Sequence, residues 1–77
     1  MSIEVQFFGQ LVDKTNQSSI SLTNIETVFE LKEKLFSSFP LLKNEKFVIA
    51  INNKMANEHS EIPEGATIAL MPPFSGG

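Results

Sequence analysis

The chain has 77 residues, no cysteine, one histidine and a net charge of −3, and its six cations are all lysines. That length fits one small domain, and the absence of cysteine excludes a disulfide framework or a cysteine-based zinc site, while His59 alone makes neither a metal cluster nor a Ser-His-Asp triad. Lys14, Lys32, Lys34, Lys43, Lys46 and Lys54 are interleaved with nine acids, so no concentrated basic surface exists for nucleic-acid phosphates.

The N-terminus MSIEVQFF lacks a basic n-region and reads straight into a strand, so no signal peptide is expected. Apolar runs fall far short of the ~20 residues of a membrane span, and a soluble cytoplasmic protein is the expectation. Residues 3–8 alternate Ile3, Val5 and Phe7 against Glu4, Gln6 and Phe8, the period of a strand with one buried face. Gly9 and Asp13-Lys14-Thr15-Asn16 read as a turn region. The sequon Asn16-Gln17-Ser18 carries no weight without a secretory signal. In Ser18–Leu22, Ile20 and Leu22 share a face, which predicts a hairpin with the first strand.

Thr27-Val28-Phe29-Glu30 matches the capping-box pattern. Val28, Leu31, Leu35 and Phe39 recur at helical spacing, with Glu30, Lys32, Glu33 and Lys34 on the wet side. Glu30 and Lys34 are placed for an i,i+4 pair, and Pro40 ends the helix. Residues 47–51, FVIAI, predict a strand running into an Asn52-Asn53 turn, with a short strand near Met55. Ile62-Pro63-Glu64-Gly65 reads as a turn and Thr67–Met71 as the last strand. The order predicts an α+β layer arrangement of one sheet with one main helix on a face.

Side chains offer little chemistry. Glu58, Glu61 and Glu64 cluster around a turn and read as a solvated surface, not a tuned carboxylate pair. No glycine-rich phosphate loop follows a strand, and His59 lies in a polar loop. Attention therefore moves to MPPFSGG. Pro72 and Pro73 have no N–H for a ladder, so the sheet should stop at Met71 and the chain continue extended. Gly76 and Gly77 have no side chains, which suits a terminus entering a narrow channel and bringing its carboxylate to another protein's catalytic groups.

With that ending, the sequence resembles the MoaD family, the small subunit of molybdopterin synthase. PPFSGG is similar to that family's PP-x-[AS]-GG ending and follows an apolar strand, ATIALM. VQFFGQ is similar to the family's first strand, and Phe47-Val48-Ile49-Ala50-Ile51-Asn52 to its strand ending in Val-Asn. One departure is Leu11-Val12-Asp13-Lys14, where many members carry an Arg-Glu pair. The resemblance implies a ubiquitin-like β-grasp fold over residues 1–71 and a flexible C-terminal tail over 72–77. It implies a non-catalytic sulfur carrier whose Gly77 carboxylate is adenylated by a MoeB-like, ATP-using activating enzyme and then becomes a thiocarboxylate. Pro72, Pro73, Ser75 and Gly76 would thread the tail into a MoaE-like large subunit, which binds the pterin precursor, in a heterotetramer of two copies each. No cofactor is expected on the isolated chain, and neither a metal nor a membrane is an expected partner. The rivals are the thiamine-synthesis sulfur carrier, whose tail usually lacks the diproline, and a ubiquitin-like modifier forming isopeptide bonds to lysines.

Strand phase adds a docking surface. With Ile3, Val5, Phe7, Phe47, Ile49, Ile51, Ile68 and Leu70 inward, alternation turns Phe8, Val48, Ala50, Ala69 and Met71 outward. In the β-grasp arrangement Phe8, Val48, Ala50 and Met71 would form one exposed apolar patch, with Met55 near its edge and Phe74 extending it. Phe8 either belongs to that patch or caps the core at the strand end. Such a patch marks a partner site, here for both the large subunit and the activating enzyme.

Overall fold

In the computed structural model of the chain, residues 2–73 are described. Five strands form one mixed sheet: β1 (Ser2–Phe7), β2 (Ser19–Thr23), β3 (Val48–Ile51), β4 (Lys54–Met55) and β5 (Thr67–Met71), in the spatial order β2-β1-β5-β3-β4. β1 runs parallel to β5, and the other neighbours are antiparallel. This mixed sheet with one main helix is the α+β arrangement that the order of elements predicts, and it agrees with the β-grasp fold that the family resemblance implies.

The helix α2 (Val28–Ser38) begins where the capping pattern places it. The Thr27 side chain accepts from the Glu30 N–H at 3.2 Å, and the Glu30 carboxylate accepts from the Glu26 N–H at 2.8 Å. Thr27 thus satisfies a backbone donor that an isolated helix end would leave open, while Glu30 reaches one residue past the N-cap, to the Glu26 N–H instead of the Thr27 N–H of a full capping box. Glu30 is thus engaged with its own helix start, and it does not make the ion pair with Lys34 that the i,i+4 spacing suggests. Val28, Leu31 and Leu35 are fully buried. They meet the inward residues of the sheet, Ile3, Val5, Phe7, Ile49, Ile68 and Leu70, in one core. Phe39 stands edge-on to Phe7, ring centres 5.8 Å apart, and Pro40 opens a short 3₁₀ turn over Pro40–Asn44 that buries Leu42.

Two local readings of the sequence are corrected. The stretch after Gly9 is not an open turn: α1 (Leu11–Thr15) forms a short helix there. Leu11 and Thr15, one helical turn apart, are both buried. The Thr15 hydroxyl donates to the Leu11 carbonyl at 3.1 Å and accepts from the Gln17 N–H at 3.2 Å, which offsets the cost of burying it. Second, β1 and β2 pair in register from Ser2↔Thr23 to Gln6↔Ser19, but α1 lies between them, so they are not joined by a simple hairpin loop. The Asn52-Asn53 turn is as expected. Both asparagines have positive φ, 48° and 71°, and join Ile51 to Lys54 in a two-residue hairpin.

Candidate functional site

Inward side chains of β1, β5 and β3 meet α2, so alternate residues occupy the opposite, outer face of the sheet. Register places them in rows. Val48 is opposite Met71, and in the next row Gln6, Ala69, Ala50 and Met55 lie side by side across four strands. Phe8 follows the last paired residue of β1 and remains tied to β5, its N–H donating to the Leu70 carbonyl at 3.0 Å. It is 44% exposed, so it belongs to the outer face and does not cap the core. Met55 is 66% exposed, and Val48 and Met71 are half-buried.

Ala50 differs from its expected place in an exposed patch, being only 6% exposed. It does lie on the outer face, but its single methyl group sits between Ala69 and Met55 in the row. The surface that a partner could touch is therefore Phe8, Met71, Val48 and Met55.

The outer face is divided in two. Its other half carries Ser2, Glu4, Ser19, Ser21, Thr23 and Thr67, all exposed. Lys54 pairs with Ile51 and so falls on the opposite phase to Met55, but Lys32 and Glu58 line one cavity with Val48 and Met55, so charge borders the apolar half at that end. Of the two ion pairs among the described residues, Lys14–Glu45 at 3.4 Å ties α1 to the segment after the 3₁₀ turn, and Lys32–Glu58 at 3.2 Å stands at the Val48–Met55 end of the apolar half. Glu58 is thus engaged with Lys32, while Glu61, Glu64 and His59 are exposed. No group of three or more His, Cys, Asp or Glu side chains that could hold a metal occurs among the described residues. No helix among them is long and apolar enough to cross a membrane.

The expected threading segment begins at this face. Met71 ends β5, Pro72 is half-buried and Pro73 is exposed. Phe74, Ser75, Gly76 and Gly77, the expected extension of the patch and the expected reacting end, lie outside the described residues. Gly9 is legible in the sequence only as a turn residue, yet it lies against the start of this segment. A Cβ on Gly9 would fall 2.8 Å from Pro72 Cγ.

Comparison with known proteins places this geometry in context. The sequence profile of the ThiS family matches residues 5–77. A putative molybdopterin converting factor, subunit 1, from Pyrococcus furiosus superposes with a TM-score of 0.84 at 20% identity, covering 95% of this chain and 98% of that one. SAMP1 from Haloferax volcanii superposes with a TM-score of 0.82 at 21% identity, with both chains fully covered (100%). A chain from the complex of subunits 1 and 2 of molybdopterin-converting factor from Helicobacter pylori is 28% identical over 100% of both chains, with a TM-score of 0.73.

Proposed function

The chain belongs to the ThiS family of ubiquitin-fold sulfur carriers, and from that premise we propose that it is the sulfur-donating small subunit of a molybdopterin synthase. The observation that carries this reading is the direct passage from the apolar outer face into Pro72-Pro73 and the Gly-Gly ending. Docking through Phe8, Met71, Val48 and Met55 would bring the carrier's last strand against a partner, and the diproline would lead the terminus into that partner. The relative from Helicobacter pylori, whose structure is a complex of two converting-factor subunits, supports a partner of the MoaE-like kind.

The chemistry requires a terminal carboxylate and no side chain. A carboxylate is a poor acyl donor. Attack of the Gly77 carboxylate on the α-phosphorus of ATP, in the MoeB-like activating enzyme, releases pyrophosphate and gives an acyl-adenylate. A sulfide equivalent then displaces AMP and leaves a terminal thiocarboxylate. In the large subunit that sulfur attacks an electrophilic carbon of the pterin precursor, and the oxygen it replaces leaves as phosphate or water. A further water hydrolyses the acyl–sulfur bond to return the Gly77 carboxylate and leave the thiol on the pterin. Two carrier chains acting in turn would supply both sulfurs of the dithiolene. Gly76 would give clearance in the channel, and Phe74 would extend the apolar docking surface.

The test is intact-mass spectrometry of the chain after incubation with a MoeB-like enzyme, ATP and sulfide. It is followed by addition of either a MoaE-like subunit with cyclic pyranopterin monophosphate or a thiazole synthase with its substrates. The expected result is one oxygen replaced by sulfur, with the sulfur lost only to the first mixture. Loss to the thiazole synthase would identify a thiamine carrier, and a mass matching an isopeptide to a lysine would identify a modifier. Either outcome overturns the proposal.

A further inference from the structure

The parallel register of β1 and β5 runs Glu4↔Thr67 to Phe7↔Leu70. Extended two residues further, it sets Gly9 beside Pro72. Both strands leave the sheet at this level, and each departure depends on the other. In a parallel ladder the Phe8 carbonyl would next accept from the N–H of residue 72. Proline has none. The Phe8 carbonyl instead accepts from the Leu11 N–H at 3.2 Å, and the Gly9 carbonyl from the Val12 N–H at 3.2 Å. The chain thus turns at Gly9, where φ is +60°, directly into α1.

Two separate demands fall on Gly9. One is the left-handed backbone, which glycine meets freely and asparagine meets more readily than other residues. This chain places asparagine at four such positions, Asn16, Asn24, Asn52 and Asn53. The other is space. A Cβ would meet Pro72 Cγ at 2.8 Å and Cδ at 3.3 Å, so the ring would have to shift. At Gly65, the other described glycine with positive φ, nothing lies within 4 Å of the same atom. Backbone conformation alone does not require glycine at position 9, but the proline ring does.

We propose that Gly9 is a positioning residue: its bare Cα seats the Pro72 ring, and this contact sets the direction in which the C-terminal segment leaves the sheet. A ring held against the end of β1 gives the following residues a defined starting vector. Pre-ordering of that kind lowers the entropy to be lost when a terminus enters a catalytic channel. The proposal rests on the reading of Gly77 as the acyl group that is activated.

The test separates space from φ with three variants, Gly9→Asn, Pro72→Ala and the double substitution. Asparagine tolerates the positive φ but carries the offending Cβ, and alanine removes Pro72 Cγ and Cδ. Thiocarboxylate formation is followed with a MoeB-like enzyme, ATP and sulfide, recording kcat and the KM for the carrier. Gly9→Asn should lower kcat by about tenfold or more, since small misplacements of reacting groups are costly. KM should change by less than about threefold, because the docking face is untouched. Adding Pro72→Ala should recover the Gly9→Asn variant to the level of Pro72→Ala alone. Wild-type kcat in Gly9→Asn, or a loss that Pro72→Ala does not relieve, overturns the proposal.

An NMR measurement needs no activity. In the wild type, Gly9 Hα should show nuclear Overhauser contacts to the Pro72 ring, and Gly9→Asn should shift the carbon resonances of Pro72 and Pro73. Absent contacts, or unchanged Pro73 resonances in a folded variant, overturn the seat whether or not the terminus accepts sulfur. Failure of the wild type to acquire sulfur would instead count against the functional reading alone. Should Gly9→Asn not fold, the wild-type contacts and the kcat of Pro72→Ala, expected to fall while its melting temperature holds, decide the question.

Discussion

Val48 and Met71 face each other across β3 and β5, on the side of the sheet that α2 does not cover. Their neighbours in sequence, Ile49 and Leu70, are paired as well and are buried beneath α2. One pair of strands therefore divides its labour by alternation: one phase holds the fold together and the other offers a surface.

That division predicts different outcomes for adjacent substitutions. Met71→Ala and Phe8→Ala should each weaken binding of a MoaE-like subunit, by about 2 kcal/mol if the residue is a central anchor. Neither should lower the melting temperature appreciably. Leu70→Ala, one residue away, should cost about 2–5 kcal/mol of stability, because it empties a fully buried site. Thermal melts and calorimetric titration on the same variants check both halves. A large loss of stability in Met71→Ala would show that its side chain belongs to the core.

Much of this is legible in the sequence because the signals are periodic and long. β1, α2 and β5 each carry several apolar residues at one spacing, and every inward residue read from β1 and β5 is buried. α1 is not legible, since a five-residue helix with two buried positions is too short to show a period. Alternation puts Ala50 on the correct face, but its exposure is decided by neighbours that alternation does not reveal. Gly9 is invisible as a contact, because its partner lies 63 residues away and the register of a parallel pair cannot be read from either strand alone. The Glu30 side chain has two possible partners by spacing, and the structure selects a backbone donor over Lys34.

The start of α2 offers a local test. Thr27→Ala removes the acceptor for the Glu30 N–H and should cost about 1 kcal/mol. Thr27→Ser keeps the hydroxyl oxygen and should recover most of that. Glu30→Gln retains an acceptor for the Glu26 N–H and should be nearly neutral, whereas Glu30→Ala should add a further loss. Denaturant unfolding of these variants reads the differences directly, and a Thr27→Ala variant as stable as the parent would show that the cap contributes nothing.

The β3–β4 hairpin makes an opposite prediction, a gain. Asn53 holds φ at +71°, a conformation glycine adopts without steric cost. An Asn-Gly pair is the preferred two-residue hairpin turn, so Asn53→Gly should leave stability unchanged or raise it by a few tenths of a kcal/mol. Asn53→Val should instead destabilise by about 1–3 kcal/mol, the cost of forcing a β-branched residue into the left-handed region. Met55 lies two residues beyond, on the outer face, so the valine variant should also weaken partner binding. Equal stability of the two variants would show that the turn does not hold this geometry in solution.

The last prediction concerns the reacting end. If Gly77 carries the acyl group and Gly76 passes through a narrow channel, bulk at position 76 should affect chemistry more than docking. The proposed docking contacts are those of Phe8, Val48, Met55 and Met71, and a branched side chain at position 76 would leave them in place. Gly76→Val should therefore bind a MoaE-like subunit with affinity lowered by no more than about 1 kcal/mol, comparable to a peripheral interface residue. Sulfur transfer from the variant should fall by about two orders of magnitude, because displacing reacting atoms by an ångström is enough for that. Deleting Gly77 should leave the melting temperature unchanged and abolish thiocarboxylate formation altogether. Binding assays, melts and intact-mass measurements on the two variants separate docking, folding and chemistry. Wild-type turnover by Gly76→Val would mean that no tight channel receives the terminus, and sulfur gained by the truncated chain would move the reacting group away from Gly77.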